Sequence, residues 1–282
     1  MHYNHELILP NQDLPFKLFI FEGKDGHYIR DKHWHQSVEI FAVCEGELSF
    51  YIDQREYPLA EGQFMLVNSN EVHSVSSPKP NDTIVIQIPL SLFSSYFTGE
   101  QFIWFSHSSP EHDGQLMELV REIYSVYCQK ACGYDLKVLG LFYLLLHLLV
   151  SEYRRTDMAA DRMRQSKNLN RLSHITSYIK EHYSEDLNLE SLARTFGYSP
   201  TYLSRMFQKY AGINFKAYLQ DIRLRYAWRE LGHSEETLSA IAQNNGFPDS
   251  RAFARAFRKK YHLLPSQYRE TLHQKGQEID ID

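Results

Sequence analysis

Cysteine is scarce in this chain: Cys44, Cys128 and Cys132 are its whole supply in 282 residues. An odd, sparse set excludes a disulfide framework. Cys128 and Cys132, one helical turn apart, have no second ligand pair nearby, so all three read as reduced packing residues. The N-terminus MHYNHELILP lacks a basic stretch followed by an apolar run. No secretory signal is expected, and the chain is expected to work in the cytoplasm. A long unbroken hydrophobic run is missing too. The most apolar stretch, LKVLGLFYLLLHLLV at 136–150, is interrupted by Lys137 and His147 and falls short of the roughly 20 residues a membrane span needs. It reads as a buried or dimer-forming helix. What the chain does have is 43% hydrophobic and 14% aromatic residues, too many for a disordered or fibrous protein and enough for about two domain cores.

The net charge of −5 conceals an asymmetry: Arg171 to Lys275 holds 16 Lys/Arg against 10 Asp/Glu, and the residues before it hold 14 against 22. One half repels polyanions and the other attracts them. A basic face is common without a nucleic-acid partner, so the motifs have to decide.

Between 16 and 90, short β-branched and aromatic runs (FKLFIF, VEIFAVCEG, ELSFYID, FMLVNS, TIVIQI) are cut by Gly, Asp, Asn and Pro, the spacing of an all-β sandwich or barrel. After Pro110 the period changes. Leu116, Leu119, Val120, Ile123 and Tyr124, then Leu136, Leu139, Tyr143 and Leu146, recur at three and four, predicting two amphipathic helices turned at Ala131-Cys132-Gly133. The charged stretch RRTDMAADRMRQSKNLN loses that periodicity and reads as a linker, or a frayed helix leading into it. The expected domains are 1–155, a linker at 156–170, and 171–275.

The last part repeats itself. Leu189, Ala193 and Gly197 recur as Leu238, Ala242 and Gly246 at an offset of 49, and Arg205, Phe207, Lys209 and Tyr218 recur as Arg255, Phe257, Lys259 and Tyr268 at an offset of 50. Such regularity marks an internal duplication. In the first copy Leu189, Leu192, Ala193 and Phe196 make one apolar helical face, and Gly197 supplies a left-handed bend. Ser199 and Pro200 open a second helix as cap and first residue. A small alanine, a glycine turn and a capped second helix describe a helix-turn-helix, whose second helix can enter a major groove. With Leu203 and Phe207 inward, Thr201, Ser204 and Arg205 point outward, and Arg205 is the strongest candidate for guanine. The second copy has Asp249 as cap, Phe253 and Phe257 inward, and Ser250, Arg251 and Arg255 outward. Lys209, Arg258, Lys259 and Lys260 lie late on these helices, where phosphate neutralisation is the expected role. Between the copies, FKAYLQDIRLRYAWREL at 215–231 predicts a rigid helix, about 25 Å at 1.5 Å per residue, long enough to hold two readers near one DNA turn apart.

The run Ala193, Gly197-Tyr198-Ser199-Pro200, Tyr202-Leu203-Ser204-Arg205, Phe207, and above all GFPDSRAFARAFRKKYHLLPSQYR at 246–269, resembles the DNA-binding domain of the AraC family of bacterial transcription regulators. The chain departs from that pattern at His262, where glycine is usual, at Leu264 before Pro265, and at Asn245, where an apolar residue is common. The resemblance implies a promoter-binding regulator, usually an activator contacting RNA polymerase.

In the front half, His33-x-His35-x3-Glu39-x6-Gly46 and Gly62-x5-Asn68-x-Asn70-x2-His73 resemble the two motifs of a cupin-type β-barrel, the usual sensor of that family. On an extended strand, His33, His35 and Glu39 share a parity and so a face. Three imidazoles and a carboxylate could hold iron, manganese, zinc or nickel. Against this, Asn68-Ser69-Asn70 stands where metal cupins carry Pro-x-Gly, and Ser77 where they carry Asn. The adopted reading is a metal-free ligand pocket lined by His33, His35, Glu39, Phe41 and His73, with no cofactor; His33, His35, Glu39 and His73 as metal ligands are the lesser alternative. Trp34, of opposite parity, reads as lying at the mouth or packing outside against the helices.

These readings combine into an α+β two-domain protein: a cupin-like β-barrel with dimerisation helices, then an all-α double helix-turn-helix. The expected function is a non-enzymatic, ligand-responsive, sequence-specific transcription regulator, an activator sensing a sugar or related metabolite. Its partners would be promoter DNA, the effector, RNA polymerase and a second copy, with no membrane. The alternatives are a cupin metalloenzyme fused to a DNA-binding domain and a repressor that senses nothing.

Overall fold

The computed structural model describes residues 4–6, 8–21, 23, 25–52, 55–97, 103–156 and 160–277, with backbone alone at 160–170 and 272–277. The chain divides into two compact units, Met1–Asn170 and Arg171–Asp282.

The first unit is built on β1 (Asn4–His5), β2 (Lys17–Ile20), β3 (Tyr28–Trp34), β4 (Ser37–Ile52), β5 (Arg55–Ala60), β6 (Phe64–Val67), β7 (His73–Ser77) and β8 (Asn81–Pro89). They form one curled sheet, a cupin-like half-barrel, in the order β1-β3-β7-β4-β8-β2, with β5 and β6 also on β4; β1 and β3 are parallel and the other pairs antiparallel. The curl has a local cause. The long strand β4 slips register against β8 between Val43 and Glu45, and Gly46 follows at φ +78°. A Cβ there would lie 2.5 Å from the Pro80 carbonyl oxygen, so glycine is required by both conformation and space. Before the bend Glu39–Ala42 pair with β6, and beyond it Ser49–Ile52 pair with β7.

The period-two alternation of β4 sorts its side chains into two cores. Val38, Ile40 and Ala42 belong to one cluster with Ile86, Leu116, Ile123 and Phe142. Phe41 and Val43 belong to another, with Phe50, Met65, Val75 and Val85. Glu39 therefore faces the concave side of the sheet, as its parity predicts.

The helix-side core is closed by α1 (Asp113–Gln129) and α2 (Tyr134–Leu148), joined through left-handed Lys130 (φ +48°) and Gly133 (φ +76°). A π-helical turn, Leu149–Tyr153, extends α2 before β10 (Arg154–Arg155) pairs with β9 (Trp104–Phe105). The continuous run Tyr134–Tyr153 thus has 20 residues, and its most apolar 18 have a mean hydropathy of 1.5. By length and composition it is enough to cross a membrane, contrary to the expectation drawn from 136–150 alone. Its place in this fold follows from packing: Val138, Phe142, Leu145, Leu149 and Tyr153 are buried in the helix-side core, and the Tyr153 hydroxyl donates to Asp113 at 2.8 Å.

The second unit is helical. The helix α3 (Ala160–Glu181) begins inside the 156–170 segment, so the expected linker is helix from Ala160 onward. There follow α4 (Leu189–Thr195), α5 (Pro200–Tyr210), α6 (Phe215–His233), α7 (Leu238–Asn244), α8 (Ser250–Tyr261) and α9 (Pro265–Gln277). Helices α4 to α8 each start on a polar side chain that accepts a backbone amide: Asn188, Ser199, Asn214, Thr237 and Asp249. Each cap contributes about 1 kcal/mol. The duplication is preserved in packing. Phe207 lies 5.5 Å from Tyr218, and fifty positions later Phe257 lies 6.0 Å from Tyr268.

Two of the three departures from the pattern that this part resembles, His262 and Asn245, have a place in this unit. His262 ends α8 in the left-handed conformation (φ +63°), doing with strain what glycine does freely. Asn245 is buried at the end of α7, where its Nδ2 donates to Ile241 O at 2.8 Å and to Glu230 Oε2 at 2.6 Å.

Candidate functional site

The second helices of the two repeats, α5 and α8, present the expected faces. On α5, Leu203 and Phe207 are fully buried, Thr201, Arg205 and Lys209 are exposed, and Ser204 is half-buried. The Ser199 hydroxyl accepts the Tyr202 amide at 3.2 Å, and the preceding turn passes through Gly197 at φ +70°. On α8, Phe253 and Phe257 are fully buried while Ser250, Arg251, Arg255, Arg258 and Lys259 are exposed. Asp249 accepts the Ala252 amide at 2.6 Å, and Gly246 turns at φ +74°. There a Cβ would meet Ser184 O at 2.8 Å, so glycine is needed for space as well as conformation.

Lys260 departs from expectation. It is half-buried and bonded to Asp221 on α6, which also accepts from Arg225 at 2.8 Å. Facing the helix that joins the repeats, it serves as a brace and leaves the set of free cations. The basic outer surface is carried by Arg205, Lys209, Arg251, Arg255, Arg258 and Lys259.

In the first unit the fold assembles all four cupin-motif side chains. His33 is the last residue but one of β3, His35 lies just past its end, Glu39 lies on β4 and His73 opens β7, and each is at most 6% exposed. His35 Nε2 lies 2.9 Å and His73 Nε2 3.1 Å from Glu39 Oε2. Each ring's other nitrogen meets a backbone carbonyl: His33 Nδ1 to Asp31 O at 2.8 Å, His35 Nδ1 to Ser37 O at 3.0 Å, and His73 Nδ1 to Glu71 O at 2.9 Å. Two residues outside the motifs complete the cluster. Gln87 donates to Glu39 Oε1 at 2.6 Å, and Glu6 Oε2 sits 3.2 Å from His33 Nε2. Gln87 was within reach of the sequence, since it shares the parity of Val85 on β8; Glu6 lies outside every motif and gave no signal.

The charges in this cluster are strongly coupled. Burial, then the neighbouring His73 and His35, push the His33 imidazolium down to about 3. Burial also opposes charge on His35, but the Glu39 carboxylate outweighs it and raises that ring above its usual value. Burial would raise Glu39, yet His35 holds its carboxyl well below the ordinary range. Glu39 is a carboxylate and His33 is neutral.

The remaining expected pocket residues are nearby but differently employed. Phe41 packs edge-on against Phe50 at 5.1 Å, and Phe50 stacks on His73 at 5.5 Å, so Phe50 stands between Phe41 and the imidazoles. Trp34 is fully buried, 4.4 Å from the His5 ring of β1; it is at no mouth. A half-open groove of about 490 Å³ lies at the β4–β5 hairpin, lined by Leu48, Ser49, Pro58, Leu59 and Gln63 among others. No member of the histidine cluster lines it, and it offers no comparable convergence of polar groups.

Comparison with known proteins gives two family matches: an AraC-like ligand binding domain over residues 18–146 and a helix-turn-helix domain over residues 192–271. An uncharacterised HTH-type transcriptional regulator of Staphylococcus aureus is 24% identical over 230 residues, covering 80% of this chain and 30% of that protein. The regulatory protein PocR of Salmonella typhimurium is 38% identical over 97 residues, covering 34% of this chain and 32% of its own length. This chain thus spans about 30% of these relatives. The crystal structure of an apo ToxT variant from Vibrio cholerae superposes with a TM-score of 0.50 at 15% identity, covering 92% of this chain and 98% of that one.

Proposed function

Because the chain belongs to the AraC family of transcription regulators, with a ligand-binding domain ahead of a helix-turn-helix domain, we propose that it switches a promoter in response to a small molecule and turns over no substrate. The carrying observation is the duplicated reader: two capped helices, α5 and α8, each burying a Phe and exposing an arginine at equivalent positions, Arg205 and Arg255. Arg205 and Arg255 read base edges, assisted by Thr201, Ser204, Ser250 and Arg251, while Lys209 and Lys259 neutralise phosphates. The 19-residue helix α6 joins the two readers, and at 1.5 Å per residue its length of about 28 Å suits successive major grooves.

The effector, a sugar or related metabolite, is taken up by residues 1–155, with His33, His35, Glu39 and His73 as its polar contacts and Phe41 behind them across Phe50. Residues 156–170 pass the signal to 171–275. Dimerisation runs through α1 and α2. On α2 Leu136, Tyr143 and Leu144 are 72%, 61% and 55% exposed, an apolar stripe at helical spacing with Gly140 between them. A ligand that binds one arrangement of this dimer better than another shifts the population that fits the operator. The protein acts in the cytoplasm as an activator contacting RNA polymerase. Footprinting with the intact chain near its own gene cluster, with and without candidate sugars, tests the proposal. A protected tract spanning two consecutive major grooves, altered by effector, is expected; no protection under any condition refutes it.

A further inference from the structure

We infer that the two reading helices take DNA of different composition: α8 a guanine-rich tract, through Arg251, Arg255 and Arg258, and α5 a mixed tract with one guanine and one adenine, through Arg205 and Gln208. This deepens the proposed function by naming the base composition of the site, and it rests on the reading of α5 and α8 as major-groove helices.

The duplication makes the two faces comparable position by position. On a helix, residues at i, i+3, i+4 and i+7 share one face. Opposite the buried pair Leu203 and Phe207, the outward line of α5 runs through Thr201, Ser204, Arg205 and Gln208. Fifty positions on, the same line of α8 runs through Arg251, Ala254, Arg255 and Arg258. All are exposed except Ser204 and Ala254, which are half-buried. Lys209 and Lys259 lie about 100° round the helix from Gln208 and Arg258, on a flank. Phosphates line the walls of a groove and base edges its floor, so the flank meets phosphates and the outward line meets bases.

The two lines carry unlike chemistry. Three guanidiniums and a methyl group stand on α8; two hydroxyls, a carboxamide and one guanidinium stand on α5. A guanidinium donates two bonds to O6 and N7 of guanine, a carboxamide pairs with N6 and N7 of adenine, and a serine or threonine hydroxyl serves several bases alike. The span fits. Seven residues cover about 10.5 Å at 1.5 Å each, which is about three base pairs at 3.4 Å, and DNA-reading helices touch three successive bases from positions spaced in this way.

These side chains are also free to act. Arg223 donates to Tyr183 O and Glu185 O, each at 2.8 Å, and Arg225 to Asp221 at 2.8 Å. Arg251, Arg255 and Arg258, by contrast, make no hydrogen bond or ion pair with any described residue. Three such cations on one face repel one another until acceptors arrive. On α5 the one bond of Gln208, from Nε2 to Gly212 O, is 3.4 Å long and leaves Oε1 and the second N–H for a base.

The test selects bound duplexes from a randomised pool with the intact chain, with and without candidate sugars, and sequences them. Two tracts about one helical turn apart are expected, one with three guanines in close succession, the other retaining a single guanine and an adenine. The composition selected by the parent chain decides the main point without any variant. Arg251→Ala and Arg258→Ala should each weaken binding of the selected site about 10- to 100-fold and relax one guanine of the rich tract, leaving the other tract unchanged. Gln208→Ala should abolish the adenine preference and keep the guanines. Thr201→Arg with Gln208→Arg, which gives α5 the pattern of α8, should convert the mixed tract into a second guanine-rich one. Two tracts of equal composition, or an Arg258→Ala chain that loses affinity for selected and random duplex alike, would overturn the inference and leave the regulator standing. A pool from which nothing is enriched under any condition would overturn the regulator reading itself.

Discussion

Asn245 Nδ2 lies 2.6 Å from Glu230 Oε2, tying the end of α7 to the helix that joins the two repeats. Asn244 adds a second bond to the same carboxylate at 2.8 Å. Only Asn245 is buried, so its donors cannot turn to water. Glu230→Ala leaves one of them unmet and should cost about 1–3 kcal/mol. Glu230→Gln, which keeps an acceptor, should recover most of that. Urea unfolding of the two variants checks it; equal losses would show that charge, not the acceptor, matters.

The exposed faces of α5 and α8 separate base reading from phosphate binding. Arg205→Ala and Arg255→Ala should each cost about 1–3 kcal/mol on the specific site and little on random duplex, whereas Lys259→Ala should weaken both alike and lower the salt slope by about one. Affinities on operator and scrambled DNA across salt decide it. Uniform losses for all three variants would remove the reader assignment.

His262 predicts an easy gain. It holds φ +63° at the end of α8, a conformation costing a side-chain-bearing residue about 1–2 kcal/mol that glycine avoids. Glycine's greater freedom in the unfolded chain returns part of this. His262→Gly should therefore raise the unfolding midpoint by an amount worth roughly 1 kcal/mol, and a fall in stability would mean the ring contributes packing that outweighs its strain.

Much of this was legible because it rests on local rules. Cap residues, glycine turns and inward Phe–Leu pairs announce α4, α5, α7 and α8 directly, whereas His33, His35 and Glu39 do not share one strand: the strand breaks at 35–36 between β3 and β4, and the fold gathers them across that break. The illegible parts depend on contacts distant in sequence. Lys260 looks like its neighbour Lys259 until Asp221, 39 positions earlier, is folded against it. Gln87 reaches Glu39 across 48 positions. The full length of α2 was hidden because its π-helical turn has no signature of its own. Asn70 shows the limit of pattern matching: read as a departure from glycine, it adopts the left-handed conformation (φ +64°) that a glycine would.

The Asp221 brace gives a pH dependence. Burial tends to raise its carboxyl, but Arg225 and Lys260 outweigh burial and hold it below the usual 3.8; burial in turn lowers the Lys260 ammonium despite its bridge to Asp221. A carboxyl depressed on folding adds stability that is fully present above its unfolded value and lost as pH falls through the folded one. Asp221→Asn should cost about 1 kcal/mol near neutrality, the group being one-third exposed and so partly screened. The gap to the parent should close only below pH 3.8. Denaturant midpoints at descending pH measure it, and a gap that closes in mildly acidic buffer would place the titrating group elsewhere.

The stripe of Leu136, Tyr143 and Leu144 is set apart from the rest of α2, whose Phe142 and Leu145 are fully buried beside it. Packing within the unit therefore leaves a large apolar stripe uncovered, and such exposure is costly in water unless a partner removes it. A second copy supplies that cover symmetrically, each α2 meeting its twin, as a two-fold interface requires. Sedimentation of the full chain should give the mass of two copies, and Tyr143→Glu with Leu144→Glu should reduce it to one while leaving the helical content unchanged. The double variant should also bind its operator more weakly than either single reader mutant, because it loses half of the contacts at once. A parent chain that sediments as a monomer at every accessible concentration would assign the stripe another role.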